Sequence, residues 1–402
     1  MKKRTDTRTA LEDPARRAVL RYGVTALGAV AAGTLLAACR NPSRTAALTN
    51  RPVELRPSNV EGLLLPDGFT ARIIARSGHP VLASSGAIWH GAPDGGAVFS
   101  TEDGGWIYVS NSEMRNSAGG ASAIRFDATG GIIDAYPILS GTSFNCAGGP
   151  TPWNTWLSCE EVSNGRVWEC DPYGNASARV LPALGVFMHE AVAVDPHSMR
   201  LYLTEDRPDG RLYRFTPSRV ENDIPDLESG LLEVAEASAL PNGNITWHTV
   251  PDPSGAIEAT RYQVPESTAF AGGEGAWYAE GVVYFTTKHD NRVWALEVGN
   301  NRLTLVYDND LLADPVLVGV DNVTVSQQGT VYVAEDGGNM QIVAITPQQQ
   351  VFPVLQILGH GQSEVTGPAF DAGGTRLYFS SQRGATGNSQ DGITFEVTGP
   401  FN

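Results

Sequence analysis

Six times along the chain a short run of alternating apolar and polar residues ends in a polar or charged pair. Each passes through a turn and returns as a second run of the same kind. The first run is Trp106-Ile107-Tyr108-Val109-Ser110-Asn111, with its return at Ala123-Ile124-Arg125-Phe126-Asp127. The next are Trp156-Leu157-Ser158-Cys159-Glu160-Glu161 and Leu201-Tyr202-Leu203-Thr204-Glu205-Asp206. Val283-Tyr284-Phe285-Thr286-Thr287-Lys288, Val331-Tyr332-Val333-Ala334-Glu335-Asp336 and Leu377-Tyr378-Phe379-Ser380-Ser381-Gln382 complete the series. Two-residue alternation rich in Tyr, Val and Phe predicts half-buried strands. The starts fall roughly 40 to 80 residues apart, and the shorter gaps match one blade of a propeller. No stretch of the body sustains a helical period. The expected fold is therefore all-β, a six-bladed β-propeller with a central metal-binding channel. Two packed sheets are the competing architecture, but a sandwich does not call for six similar units.

Before each copy lies a shorter, Gly-rich segment that suits an innermost strand, where strands crowd together at the axis. These segments include His90-Gly91-Ala92, Cys146-Ala147-Gly148, His189-Glu190-Ala191, Gly273-Glu274-Gly275, Asp321-Asn322-Val323 and Thr366-Gly367-Pro368. Residues 216 to 265, with Pro217, Pro225, Pro241, Pro251 and Pro253 among them, read as an insertion between blades.

The first 39 residues read as a leader. Arg16-Arg17 precedes an apolar run from Tyr22 to Ala38 that is short for a membrane span. The run ends in Leu36-Ala37-Ala38-Cys39, a lipobox-like pattern with Cys39 as a lipid attachment point. Twin-arginine export to the periplasm, or to a lipid anchor on the outer side of the cytoplasmic membrane, is the expected localisation. Residues 40–61 read as a flexible tether and 62–402 as the propeller domain, taken to be a monomer. The formal charge of −16 becomes −20 without the leader, whose seven basic residues outnumber its three acidic ones. So acidic a body excludes nucleic acid as a partner.

Acidic residues recur at comparable places. Glu190, Glu274, Asp321 and Asn322 fall on the inner segments, while Glu113, Glu160, Glu161, Glu205, Asp206, Glu335 and Asp336 fall at or just after strand ends. Crowded carboxylates repel one another, and bound cations relieve the repulsion. Oxygen donors suit Ca²⁺ or Mg²⁺; a thiolate at Cys159, with His189, shifts the preference toward a transition metal. Taken singly, an acidic pair before a turn is an ordinary solvated turn, and Cys159 equally suits a disulfide with Cys146 or Cys170. Arg115, Arg207, Lys288, Arg292 and Arg383 follow the strands, where they meet neighbouring acids or an anionic substrate. A Ser-His-Asp hydrolase is not indicated, since no Gly-X-Ser-X-Gly elbow occurs, nor is a phosphate-cradling glycine loop.

The segments Asn145 to Glu161, His189 to Pro196, Tyr202 to Asp206, Glu274 to Tyr278, Asp321 to Ser326, Glu335 to Gly337 and Thr366 to Phe370 together resemble the PhoX-type alkaline phosphatases. The resemblance implies an exported propeller phosphatase that hydrolyses phosphate monoesters at an iron (Fe³⁺) and calcium (Ca²⁺) centre. It implies Cys159 as the iron ligand and Glu190, Glu205, Glu274, Asp321 and Glu335 as acids shared among the ions. Cys159, Glu160, Glu190 and Glu274 are then the expected catalytic set. The body is shorter than is usual in that family, and Val186 stands where its pattern carries Arg. Two rival readings are a gluconolactonase-like propeller with one divalent ion and a non-catalytic, calcium-stabilised binding propeller.

Overall fold

A computed structural model describes residues 47–84 and 86–401; the leader and Cys39 lie outside the described residues. Strands predominate, and the helices among the described residues are single 3-10 turns. The innermost strands of six sheets are Pro93–Ser100, Asn145–Pro150, His189–Val194, Gly273–Ala279, Val320–Val325 and Val365–Phe370. Each touches the next, and the sixth touches the first, so the ring closes around an axis. Three further antiparallel strands extend each sheet outward. The fold is an all-β propeller rather than a pair of stacked sheets.

Closure uses the two ends of the folded chain. Thr70–Arg76 supplies the outermost strand of the sixth sheet by pairing with Ile393–Thr398. Earlier still, Thr49–Asn50 pairs with Gln350–Val351, and Leu63–Leu65 pairs with Ile357 and Gln356 on the edge of the fifth sheet. The span expected as a tether is thus already laid on the propeller from residue 49, because the exposed edge of Gln350–Ile357 offers unpaired backbone groups. In the expected insertion, Gly243–Thr249 pairs with Gly230–Ala237 of the third sheet and with Arg302 and Leu303 of the fourth. It joins those two sheets into one.

Six buried apolar clusters fill the gaps between neighbouring sheets. Between the second and third, for example, Leu157 and Cys159 meet Leu201, Leu203, Phe187 and Tyr213. Burying each large side chain there contributes roughly 1.5–3 kcal/mol. Near the axis the spacing is too tight for side chains. A Cβ on Gly149 would stand 1.7 Å from the carbonyl oxygen of Val192 on the next inner strand.

Candidate metal centre

All six sheets share one local irregularity. The first residue of each inner strand pairs with the last residue of the second strand: Pro93 with Ser112, Asn145 with Glu160, His189 with Glu205, Gly273 with Thr287, Val320 with Glu335 and Val365 with Ser381. One or two residues further in, every inner strand carries one extra residue. Such a bulge turns the strand locally and re-aims its side chains.

Two tiers of residues follow from this common register. The second residues of the inner strands are Asp94, Cys146, Glu190, Glu274, Asp321 and Thr366, all buried. The residues just after the second strands are Glu113, Glu161, Asp206, Lys288, Asp336 and Gln382. Glu364 and Arg383, both from the sixth sheet's ends, join them. Ligand atoms of Cys146, Glu161 and Glu190 lie within 4.8 Å of one another, as do those of Asp94, Glu113 and Glu364, and those of Glu190, Glu274 and Asp321.

The tiers differ in depth. Glu190 and Glu274 are 0% and 2% exposed, whereas the side chains of Lys288, Asp336 and Arg383 are about one-third exposed. Lys288 Nζ lies 2.6 Å from Glu274, 3.6 Å from Asp206 and 4.0 Å from Asp336. Arg383 pairs with Glu364 at 3.0 Å. The Gln382 amide donates to Asp94 at 2.5 Å and to Glu113 at 2.7 Å.

Burial, reinforced by neighbouring carboxylates, pushes Asp94 up to about 8 and Glu161 up to about 9. Burial first, and mutual repulsion second, also holds Glu190 well above the usual carboxylate range. For Glu274, Asp321 and Glu364 the direction and leading cause are the same. The Cys146 thiol is raised by burial and then by Asp94 and Glu190. Glu190 is the decisive residue: both its carboxylate oxygens are buried with no hydrogen-bond donor. A buried carboxylate without donors is costly unless a cation is bound to it. The donor set fits metal ions, with Cys146 the soft donor and carboxylate oxygens the hard ones.

The structure redistributes the expected site residues. Glu113, Glu190, Asp206, Glu274, Asp321 and Asp336 reach the axis. Cys159 does not: it is buried in the apolar cluster between the second and third sheets, among Leu157, Val167 and Phe187. The thiol near the carboxylates is Cys146, 3.7 Å from Asp94. Cys146, Cys159 and Cys170 are all free, so the alternative of a disulfide from Cys159 to Cys146 or Cys170 is not realised. Glu160 also turns away, accepting from the Trp168 indole at 3.0 Å and the Ser143 backbone N–H at 3.2 Å. Glu205 is held by Arg261 at 3.0 Å, the Tyr213 hydroxyl at 3.1 Å and the Arg211 N–H at 3.2 Å. Glu335 accepts the Val318 and Gln341 N–H groups, each at 2.9 Å.

These last-position glutamates staple loops, and only the residue after each of them faces the axis. Asn322 braces the ring, donating to Asp321 at 2.9 Å and accepting the Gly367 N–H at 2.6 Å. His189 stacks on Phe187 at 3.6 Å, and burial lowers its pKa to about 3. The sequence reading missed Asp94 and Glu364 and undervalued Cys146. A usable signal existed for Asp94 and Cys146, since five of the six second residues of the inner strands are followed by a small one, as in Asp94-Gly95 and Cys146-Ala147. Asp321, followed by Asn322, is the exception, and Glu364, followed by Val365, carries no such mark.

A family model described as alkaline phosphatase PhoX matches residues 111–169 and 163–305. Among solved structures, Pseudomonas fluorescens PhoX in complex with vanadate, a transition state analogue, is similar at a TM-score of 0.72 and 16% identity. That match covers 89% of this chain and 98% of the other. A Bacteroides thetaiotaomicron protein of unknown function is similar at a TM-score of 0.50 and 10% identity, covering 88% of each chain. A Xanthomonas campestris gluconolactonase reaches a TM-score of only 0.43 at 14% identity, over 87% of this chain and 99% of its own. No curated protein matches the sequence.

Proposed function

The chain belongs to the PhoX alkaline phosphatase family, and from that premise we propose that it releases phosphate from monoesters at a group of cations held in the axial ring. The observation that carries this reading is Glu190, a buried carboxylate whose two oxygens have no donor and which belongs to two of the three ligand groupings. Among the described residues the ring brings together nine carboxyl groups, on Asp94, Glu113, Glu161, Glu190, Asp206, Glu274, Asp321, Asp336 and Glu364, and two cationic side chains, Lys288 and Arg383. Alone, it would repel a phosphate ester rather than bind one. Bound metal ions neutralise phosphoryl oxygens and acidify a water or hydroxyl nucleophile.

Cys146, Glu161 and Glu190 suit a transition metal, for which we propose iron; the oxygen-only groupings suit calcium. The residues' own work is to fix these donors on rigid strand ends, an arrangement that favours preorganised charge stabilisation. Lys288 and Arg383 stand partly exposed at the mouth, where they would meet the incoming anion. The solved relative holds vanadate, a transition state analogue, which supports a phosphate ester as the substrate class here. We read the Arg16-Arg17 leader as sending the folded chain out of the cytoplasm.

The test is phosphate release from p-nitrophenyl phosphate by the purified full chain, with elemental analysis in parallel. Activity is expected, with loss on chelation and return on adding iron and calcium salts. A metal-loaded protein that releases no phosphate would overturn the proposal.

A further inference from the structure

Five of the six residues that follow the second strands are carboxylates or an amide; the sixth, Lys288, is an ammonium. Its surroundings are those of a bound ion rather than of a surface lysine. Nζ is 2.6 Å from Glu274, 3.6 Å from Asp206 and 4.0 Å from Asp336, and these acids come from three different sheets.

Among the described residues no cationic side chain is in ion-pair contact with the grouping of Cys146, Glu161 and Glu190. Arg383 pairs with Glu364 at 3.0 Å and, like Lys288, lies 4.0 Å from Asp336. The Lys288 ammonium thus neutralises a carboxylate, Glu274, that belongs with Glu190 and Asp321 to a grouping able to hold a metal ion. An ammonium is a compact point charge on a flexible stem, able to sit where such an ion would. It offers one charge instead of two and accepts no lone pair from a ligand.

We propose that Lys288 is a resident cation of the ring, filling with its ammonium a position among Glu274, Asp206 and Asp336 that a calcium-like ion would otherwise occupy. This inference rests on the metal-dependent reading above. It makes the number of bound ions a property of one side chain, and it keeps part of the ring neutralised whatever the external calcium concentration.

The experiment compares wild type, K288M and K288R as full chains, stripped with a chelator and then equilibrated with calcium chloride. Calcium per chain is measured by elemental analysis and thermal unfolding is followed with and without calcium. K288M is expected to bind about one further calcium ion per chain, since Glu274, Asp206 and Asp336 then face an open position. Its unfolding temperature should also rise more on adding calcium than that of wild type, because the ion binds only the folded state. K288R, which keeps the charge, should match wild type in count. If K288M fails to fold, K288Q keeps the polar stem and gives the same reading. A neutral variant that folds, with unchanged calcium count and unchanged calcium-dependent stabilisation, overturns the role of Lys288. A wild-type chain that binds no divalent ion at all overturns the metal centre instead, so the two failures are distinguishable.

Discussion

Glu205 separates a structural acid from a metal-binding one, and the change E205A tests the separation. Its carboxylate is wholly buried and accepts from Arg261, the Tyr213 hydroxyl and the Arg211 backbone N–H. Removing one partner of a buried ion pair costs about 3–5 kcal/mol, since the other charge is left uncompensated. Arg261 is 18% exposed and keeps Asp209 at 3.4 Å, which reduces that cost. The stranded Arg211 N–H adds about 1–2 kcal/mol, while Tyr213 retains Thr260 at 2.9 Å. The net destabilisation is about 3–4 kcal/mol, which for a chain of this length lowers the unfolding temperature by about 5 °C. E205Q keeps an acceptor and should lose about half as much. Thermal unfolding by circular dichroism gives the stability, and elemental analysis of the same sample gives the ions. The expected result is a clear loss of stability with metal content unchanged. A variant with wild-type melting but fewer bound ions would refute the assignment of Glu205 to the Arg261 staple.

Two of the three buried cysteines give a second contrast. C146S should reduce iron content about tenfold or more, since a hydroxyl replaces the soft donor, whereas C159S should leave metal content alone and cost about 1–3 kcal/mol by burying a hydroxyl among Leu157, Val167 and Phe187. Equal iron loss in both variants would sink this division. With ions removed, Asp94 and Glu161 have folded pKa values of about 8 and 9, above their ordinary ones. The folded state therefore holds more protons than the unfolded one between about pH 4.5 and 8, and stability falls as pH rises through that window. Chelant-treated protein should accordingly melt lower at pH 7 than at pH 5, and a flat or rising profile would contradict the burial of these acids. G149A should destabilise by several kcal/mol, because its methyl group would drive two inner strands apart; an unchanged denaturant midpoint would show that the axis can relax.

Much of the fold was legible because its central strands announce themselves locally. The runs beginning at Trp106, Trp156, Leu201 and Val331 start on the residue where the strand begins, and those at Val283 and Leu377 fall one residue late. What was not legible is what distance along the chain conceals. Thr70–Arg76 completes a sheet whose other strands lie at the far end of the chain, and nothing near it signals Ile393–Thr398 as its partner. The site failed in a more specific way. Acidic doublets such as Glu205-Asp206 and Glu335-Asp336 were read as paired ligands, but neighbouring side chains at a strand end point to opposite sides. One member must serve the loop and the other the axis. The same limit misplaced the thiol: Cys159 lies within its strand, on the face that packs against the third sheet, while Cys146 lies at the bulge of an inner strand, where the re-aimed backbone turns it toward Asp94 and Glu190. Identity and spacing mark which residues are chemically capable, but the shared bulge decides which of them reach the axis. Aligning the six inner strands on the polar residue followed by a small one would have favoured Cys146 over Cys159 from sequence alone.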